Sequence, residues 1–390
     1  MYVVGDERII MTLINHAKKI MLVFGTRPEA IKMCPLVKEL QSRQEIHVIV
    51  AVTGQHRTML DQVLRVFQVV PDYDLGIMKE KQTLFDITSL VLNGMKEILE
   101  KERPDMVLVH GDTGTAFAAA LAAFYMNIPV GHVEAGLRTY DIHSPFPEEF
   151  NRQAAGLICT YHFAPTETAK ANLLREGKDE KKIWVTGNTA IDALKTTVCR
   201  GYTHPELSWC SDSRLILITA HRRENLGMPM HHMFCAIRRV LEKHSDVKAI
   251  YPVHMNPAVR QKAEEIFGDL LSGEQESRIH LIEPLDVVDF HNFMAKSYLI
   301  LTDSGGIQEE APALGVPVLV MRDTTERPEG IFAGTLKLAG TQEDMIYRIF
   351  TTLLDDEKEY GKMAHACNPY GDGKAAIRIA DIIEKGWTDV

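Results

Sequence analysis

Three acidic residues stand where apolar runs give way to short loops: Asp112 in "HGDT", Glu134 in "GHVEAG" and Glu148 in "SPFPEEFNR". A loop carboxylate is ordinarily a helix cap or a solvated side chain, and Asp112, ahead of a Thr and an Ala-rich run, is a candidate cap. Glu134 differs. It follows apolar strand residues and precedes Ala-Gly, a position expected to desolvate the carboxylate and raise its pKa towards an acid–base role. Three acids on neighbouring loops suit proton chemistry. Opposite them "LITAHRREN" presents His221, Arg222, Arg223 and Glu224. A His followed by two Arg at such a mouth suits a negatively charged ligand. His254 in "YPVHMNP" is a weaker candidate, with a satisfied loop histidine as the plain alternative.

Two further stretches suit an anion. "YLILTDSGGIQEEAPALGVPVLV" (298–320) reads as a strand ending at Asp303, a turn at Ser304, Gly305 and Gly306, and a helix from Ile307 that stops before Gly315. Backbone N–H groups at such a turn favour phosphate. Glu309 and Glu310 beside it either complement the helix dipole or accept sugar hydroxyls, as the acidic residue of dinucleotide folds does with ribose. "VFGTRPEAIK" places Arg27 and Lys32 about one turn apart, where both can approach a diphosphate. The chain lacks G-x-G-x-x-G after its first strand and any G-x-x-x-x-G-K-[ST], which argues against nicotinamide, flavin and P-loop sites.

The segments that carry these residues alternate in kind. "KIMLVFG", "IHVIVAVTG", "DMVLVHG" and "IPVGHVEAG" are each followed by a helix-like stretch, which predicts a parallel sheet covered on both faces. After the polar segment 200–213 the pattern restarts with "RLILITA", so the expected fold is α/β with two Rossmann-like halves. Open sheets of this kind bind ligands beyond the carboxyl ends of their strands, where the unusual residues fall. A chain of 390 residues with 45% hydrophobic content supports more than one core. Its net charge of −10 argues against a general nucleic-acid or membrane-surface binder. The six cysteines are scattered without a C-x-x-C pair and read as buried or inert thiols, fitting a reducing cytoplasm and neither disulfides nor zinc. Residues 1–19 fit neither a signal peptide nor a membrane span and are expected to be an extension or an alternative start, the first strand starting at Lys19.

The motifs "FGTRPEAIK", "TGQHRTMLDQ", "HGDT", "GHVEAGLRT", "SPFPEEFNRQ", "VTGNTAIDAL", "AHRREN", "YPVHMNP", "HLIEPLD", "LTDSGGIQEEAPALGVPVLVMRDTTERPEG" and "NPYGDGKA" occur in that order. Together they resemble the non-hydrolysing UDP-N-acetylglucosamine 2-epimerases of bacteria and archaea, from about residue 20 to the C-terminus. The chain departs from the family pattern at Gly114, where Thr is frequent, and at Phe332, where Glu is common. The resemblance implies the glycosyltransferase-B fold, with 20–198 plus 370–390 as one domain and 210–368 as the UDP-binding domain. It also implies a hinged cleft, a homodimer, and chemistry without metal or nicotinamide.

Carried over by motif, the implied catalytic residues are Asp112, Glu134, Glu148 and His221. Arg27, Lys32 and Arg222 would meet the nucleotide, and Phe290 would lie near the uracil. Ser304, Gly305 and Gly306 would hold the diphosphate and Glu310 the ribose, with Glu309 supporting the loop. The implied route eliminates UDP to give 2-acetamidoglucal and re-adds it from the other face, so protons are handled on both faces of the ring. Some relatives are activated by substrate at a second site, for which the matching positions are Gln55, Lys81, Gln82, Arg222 and His254. A glycosyltransferase of the same fold, a silent nucleotide-sugar sensor and a hydrolysing epimerase are the competing readings.

Overall fold

The structure, a computed structural model, describes residues 17–386 apart from 56, 80–81, 223–224, 254–255, 272–276 and 326. Lys81 and His254 therefore lie outside the described residues. Seven parallel strands, β1 (Lys18–Phe24), β2 (Ile46–Val52), β3 (Tyr73–Asp74), β4 (Met106–His110), β5 (Val130–Val133), β6 (Tyr161–Ala164) and β7 (Ile183–Val185), form a sheet of order β3-β2-β1-β4-β5-β6-β7. Six more, β8 (Arg214–Thr219), β9 (Val247–Pro252), β10 (Ile279–Ile282), β11 (Leu299–Thr302), β12 (Val318–Val320) and β13 (Leu336–Leu338), form a second, of order β10-β9-β8-β11-β12-β13.

Both faces of each sheet are apolar because both are covered by helices, as a parallel sheet requires. In β1, Ile20, Leu22 and Phe24 enter one core while Met21 and Val23 enter the other. In β8, Ile216 and Ile218 face one core, Leu215 and Leu217 the opposite one. The first strand starts at Lys18 rather than the expected Lys19, since Lys18 already pairs with Ile46 and its ammonium donates to the carbonyls of Ile383 and Glu384 at 2.9 and 2.8 Å.

The strand order reverses between β1 and β4 in the first sheet and between β8 and β11 in the second. At such switch points the loops leave in opposite directions and open a crevice at the strands' carboxyl ends. The residues there are Gly25–Thr26, Gly111–Asp112, Ala220–Arg222 and Asp303–Gly306. The chain's last helix, Ala375–Lys385, buries Ala376, Ile379, Ala380 and Ile383 in a core of the first sheet. Asp192 anchors it by accepting the N–H groups of Ala375 and Ala376, each at 3.1 Å. Segment 200–213 is more than a polar connection. It contains the helix Pro205–Trp209, Trp209 stacks on His280 with ring centroids 3.5 Å apart, and the Tyr202 hydroxyl donates to Asp289 at 2.5 Å.

Candidate active site

The helix Arg27–Gln41 starts in a capping box: Thr26 caps it and Glu29 reaches back. The buried Glu29 carboxylate accepts from the backbone of Gly25 at 3.0 Å and Thr26 at 2.8 Å, and from the Thr113 hydroxyl at 2.6 Å. It thus ties the loop after β1 to the loop after β4, and burial pushes its pKa up. Thr113 caps the next helix, accepting from Ala116 N–H at 3.0 Å, so the capping role open to Asp112 falls to its neighbour. Asp112 instead meets Arg152 Nη2 at 2.6 Å, and the Asn151 amide donates to its carbonyl at 2.8 Å.

Both partners lie on the helix Glu148–Ile158, which brings the Asp112 loop to the helix that starts at Glu148. Of the two adjacent glutamates there, Glu149 is fully buried. It accepts from Tyr140 N–H at 3.0 Å and Gln153 Nε2 at 2.9 Å, with Arg152 Nη1 at 3.3 Å. Glu148 remains half-buried at the helix start.

Glu134 sits in a left-handed backbone conformation, φ 62°. A side-chain-bearing residue is strained there by about 1–2 kcal/mol, and the strain occurs beside a dense polar cluster. The Lys32 ammonium donates to Glu134 Oε2, Asn188 Nδ2 donates to the same oxygen at 2.7 Å, and His110 Nε2 lies 3.7 Å away. The expected upward shift of Glu134 is not found. Burial does push that way, but the positive charges of Lys32 and Arg327 outweigh it and hold the carboxyl well below its usual range. Lys32 shifts upwards: burial opposes its charge, and the carboxylates of Glu134 and Glu309 more than compensate. Lys32 is thus engaged with Glu134. Glu134 is therefore ionised at neutral pH.

On the second sheet, Gly305 lies against Arg327: a Cβ there would come within 2.6 Å of Arg327 Nη1, so any larger residue would have to displace the guanidinium. Arg327 Nε donates to the buried Glu309 at 2.5 Å, and Asn188 donates to the other oxygen of that carboxylate. Lys32, Glu134, Asn188, Glu309 and Arg327 therefore form one network that joins the two sheets. Glu309 belongs to this bridge, where burial raises its pKa.

Glu310 turns to a different set of partners. His291 Nε2 lies 3.7 Å from its Oε2, and Thr197 Oγ1 sits 2.7 Å from His291 Nδ1. Burial works against ionisation of Glu310, yet the nearby His291 and the positive charge around it win, and the pKa is lowered. Arg27 is brought to the same place. Burial lowers its pKa while the charges of Glu310 and Asp286 partly restore it. Phe290 lies half-buried on the helix Val287–Lys296 that Asp286 caps. The loop after β8 is clamped by the buried Asp303, whose Oδ2 accepts the backbone N–H groups of His221 and Arg222, each at 2.9 Å.

The remaining sequence candidates are occupied locally. Gln55 Oε1 accepts from Thr115 at 3.1 Å, and Gln82 Nε2 donates to the Ile77 carbonyl at 2.7 Å. Among the described residues no group of three or more His, Cys, Asp or Glu could hold a metal ion, and no helix is long and apolar enough to cross a membrane. Cys34, Cys159 and Cys210 are buried, with Cys34 pushed up to about 12 by burial, while Cys199 and Cys367 are exposed. Sequence reasoning missed Glu29, Asn188, His291 and Arg327 as site residues. Only Glu29 had a local signal, the T-x-x-E spacing of a capping box; the others are defined by tertiary contacts.

Two parallel sheets meeting at their switch points, with acids on one side and a Ser-Gly-Gly turn on the other, define an α/β protein of the glycosyltransferase-B class. Residues 38–384 match the family model described as UDP-N-acetylglucosamine 2-epimerase, and the chain belongs to that family. A UDP-N-acetylglucosamine 2-epimerase of Bacillus subtilis is 62% identical over 363 residues, 93% of this chain and 94% of the relative. A solved structure from Listeria monocytogenes is 58% identical with a TM-score of 0.89, covering 96% of this chain and 98% of that one. The UDP-GlcNAc 2-epimerase of Neisseria meningitidis, solved bound to UDP-GlcNAc, is 47% identical with a TM-score of 0.85, covering 94% of this chain and 100% of that one.

Proposed function

We propose that this protein interconverts UDP-N-acetylglucosamine and UDP-N-acetylmannosamine without hydrolysis, supplying precursors for cell-surface polysaccharide. The observation that carries this reading is an ionised Glu134, held by Lys32 and Asn188, joined through one buried network to the Ser-Gly-Gly turn and its neighbouring Glu309. The ionised Glu134 carboxylate takes the proton on C2 while the C1–O bond to UDP breaks, leaving 2-acetamidoglucal and UDP. UDP then re-adds at C1 as C2 takes a proton on the opposite face.

A single carboxylate cannot serve both faces, and Asp112 and Glu148, joined through Arg152 and its helix, provide the other acid–base groups. His221 and Arg222 stabilise the diphosphate as charge accumulates on it. Arg27 and the Ser304–Gly306 turn bind the phosphates, Glu310 the ribose and Phe290 the uracil side. The two units, 20–198 with 370–390 and 210–368, close over the glucal to exclude water. We assign the enzyme to the cytoplasm as a homodimer. Activation at a second site near Gln55 and Gln82 would appear as a sigmoidal dependence of rate on substrate; a hyperbola without added activator contradicts it.

Incubation of the purified chain with UDP-N-acetylglucosamine, without added NAD or metal, should yield UDP-N-acetylmannosamine. Release of free N-acetylmannosamine would show the hydrolysing reaction instead. No conversion without an acceptor, with sugar transferred once one is present, would show a glycosyltransferase.

A further inference from the structure

We infer that Asp303 is the positioning residue for His221: its Oδ1 holds a proton on the imidazole Nδ1, so that Nε2 is the nitrogen presented to the departing diphosphate. The diphosphate in this inference rests on the proposed function; the pairing of the two side chains does not. Asp303 is fully buried at the end of β11, beside the end of β8, at the switch point of the second sheet. Its two oxygens have different fates. Oδ2 accepts three donors: the backbone N–H groups of His221 and Arg222, each at 2.9 Å, and Asn225 Nδ2 at 3.0 Å. Oδ1 is equally buried and accepts no hydrogen bond, while His221 Nδ1 lies 3.9 Å from it.

A buried charged acceptor without a donor is costly, and such an atom in a folded protein calls for a partner. His221 Nδ1 needs to approach by only about 1 Å to make a charge-assisted hydrogen bond. The backbone is in place for this movement. Tyr251 donates its hydroxyl to the Ala220 carbonyl at 2.5 Å, and Thr219 Oγ1 donates to Thr302 Oγ1 at 2.6 Å, locking the two strand ends together. The imidazole itself is 43% exposed. Once Nδ1–H is bound by a buried carboxylate, the ring is oriented, its tautomer is set and its protonated form is favoured. Nε2 on the far side of the ring is then the donor for the phosphate oxygen that gains charge.

The test is 15N NMR of the full chain with UDP bound, labelled in its histidines, the His221 signals being assigned by their loss in His221→Gln. The expected result is a protonated Nδ1 in the wild type. In Asp303→Asn the side-chain carbonyl can still accept the loop N–H groups while the amide turns a donor towards Nδ1, so the neutral ring should switch to the Nε2–H form. kcat should fall about 10- to 100-fold with KM little changed, as for other carboxylates that orient a histidine. An unprotonated Nδ1 in the UDP-bound wild type overturns the inference, as does one tautomer shared by wild type and variant. If Asp303→Asn fails to fold, the wild-type spectrum decides alone. If the wild type proves not to be an epimerase, the proposed function fails while the spectrum still reads the Asp303–His221 pair.

Discussion

At the scale of single residues, the site works by setting neighbouring carboxylates to different tasks. Glu134 is held ionised by Lys32, Glu309 is spent on Arg327 and Asn188, and Glu310 is held by His291. Glu310→Gln should weaken UDP binding by roughly 1–3 kcal/mol, the value of a buried hydrogen bond to a charged group; an unchanged affinity by calorimetry would remove Glu310 from the ribose site. Lys32→Met tests the ionisation of Glu134. With the ammonium gone, burial dominates and the Glu134 pKa rises, so activity that needs the carboxylate should be lost at a higher pH as the solution is acidified. The acid limb of the pH–kcat profile should therefore move upwards. A limb left in place would mean that Lys32 does not keep Glu134 charged.

At the scale of elements, the turn after β5 shows how the chain holds a strained position that the proposed function makes catalytic. Glu134 has a positive φ, and Gly136 follows with φ 90°, packed so closely that a Cβ would lie 2.3 Å from the Ala169 carbonyl oxygen. Gly136→Ala combines backbone strain with a clash against rigid backbone, and should lower stability by roughly 1–3 kcal/mol, seen as a reduced melting temperature. A melting temperature equal to the wild type would show that the turn relaxes. The alternation of apolar runs with helical stretches, and the glycines and acids that interrupt it, made the two sheets and the positions of Asp112, Glu134 and Ser304–Gly306 legible in the sequence. Periodicity carries that information because each strand buries both faces. What Glu134 does with its proton was not legible. Its upward shift was argued from burial, whereas Lys32, 102 residues away, decides the sign. Asn188 and Arg327 were silent for the same reason: a polar residue that bridges two sheets has no local pattern.

At the scale of the whole molecule, three histidines within the first sheet are folded in neutral form. Burial lowers His110 and His162 to about 3 and His132 to about 4. Below about pH 6.5 the unfolded chain protonates these groups while the folded one does not, so stability should decline with acidification, by up to about 1.4 kcal/mol per pH unit for each histidine. Glu29 and Glu309, with raised pKa values, act in the opposite direction, so the comparison is made against His162→Gln, in which their effect is common. The variant should lose stability less steeply between pH 6.5 and 5; equal slopes would show that His162 protonates in the folded state. In the proposed reaction, which both sheets would serve, the C2 proton is the most direct reporter. In deuterium oxide, without NAD or metal, UDP-N-acetylglucosamine should acquire deuterium at C2 and appear partly as UDP-N-acetylmannosamine. Asp112→Asn, Glu134→Gln and Glu148→Gln should each retain UDP binding while slowing this exchange about 10²- to 10⁴-fold. Epimerisation without deuterium at C2 would contradict elimination and re-addition, and full exchange in all three variants would place the chemistry elsewhere.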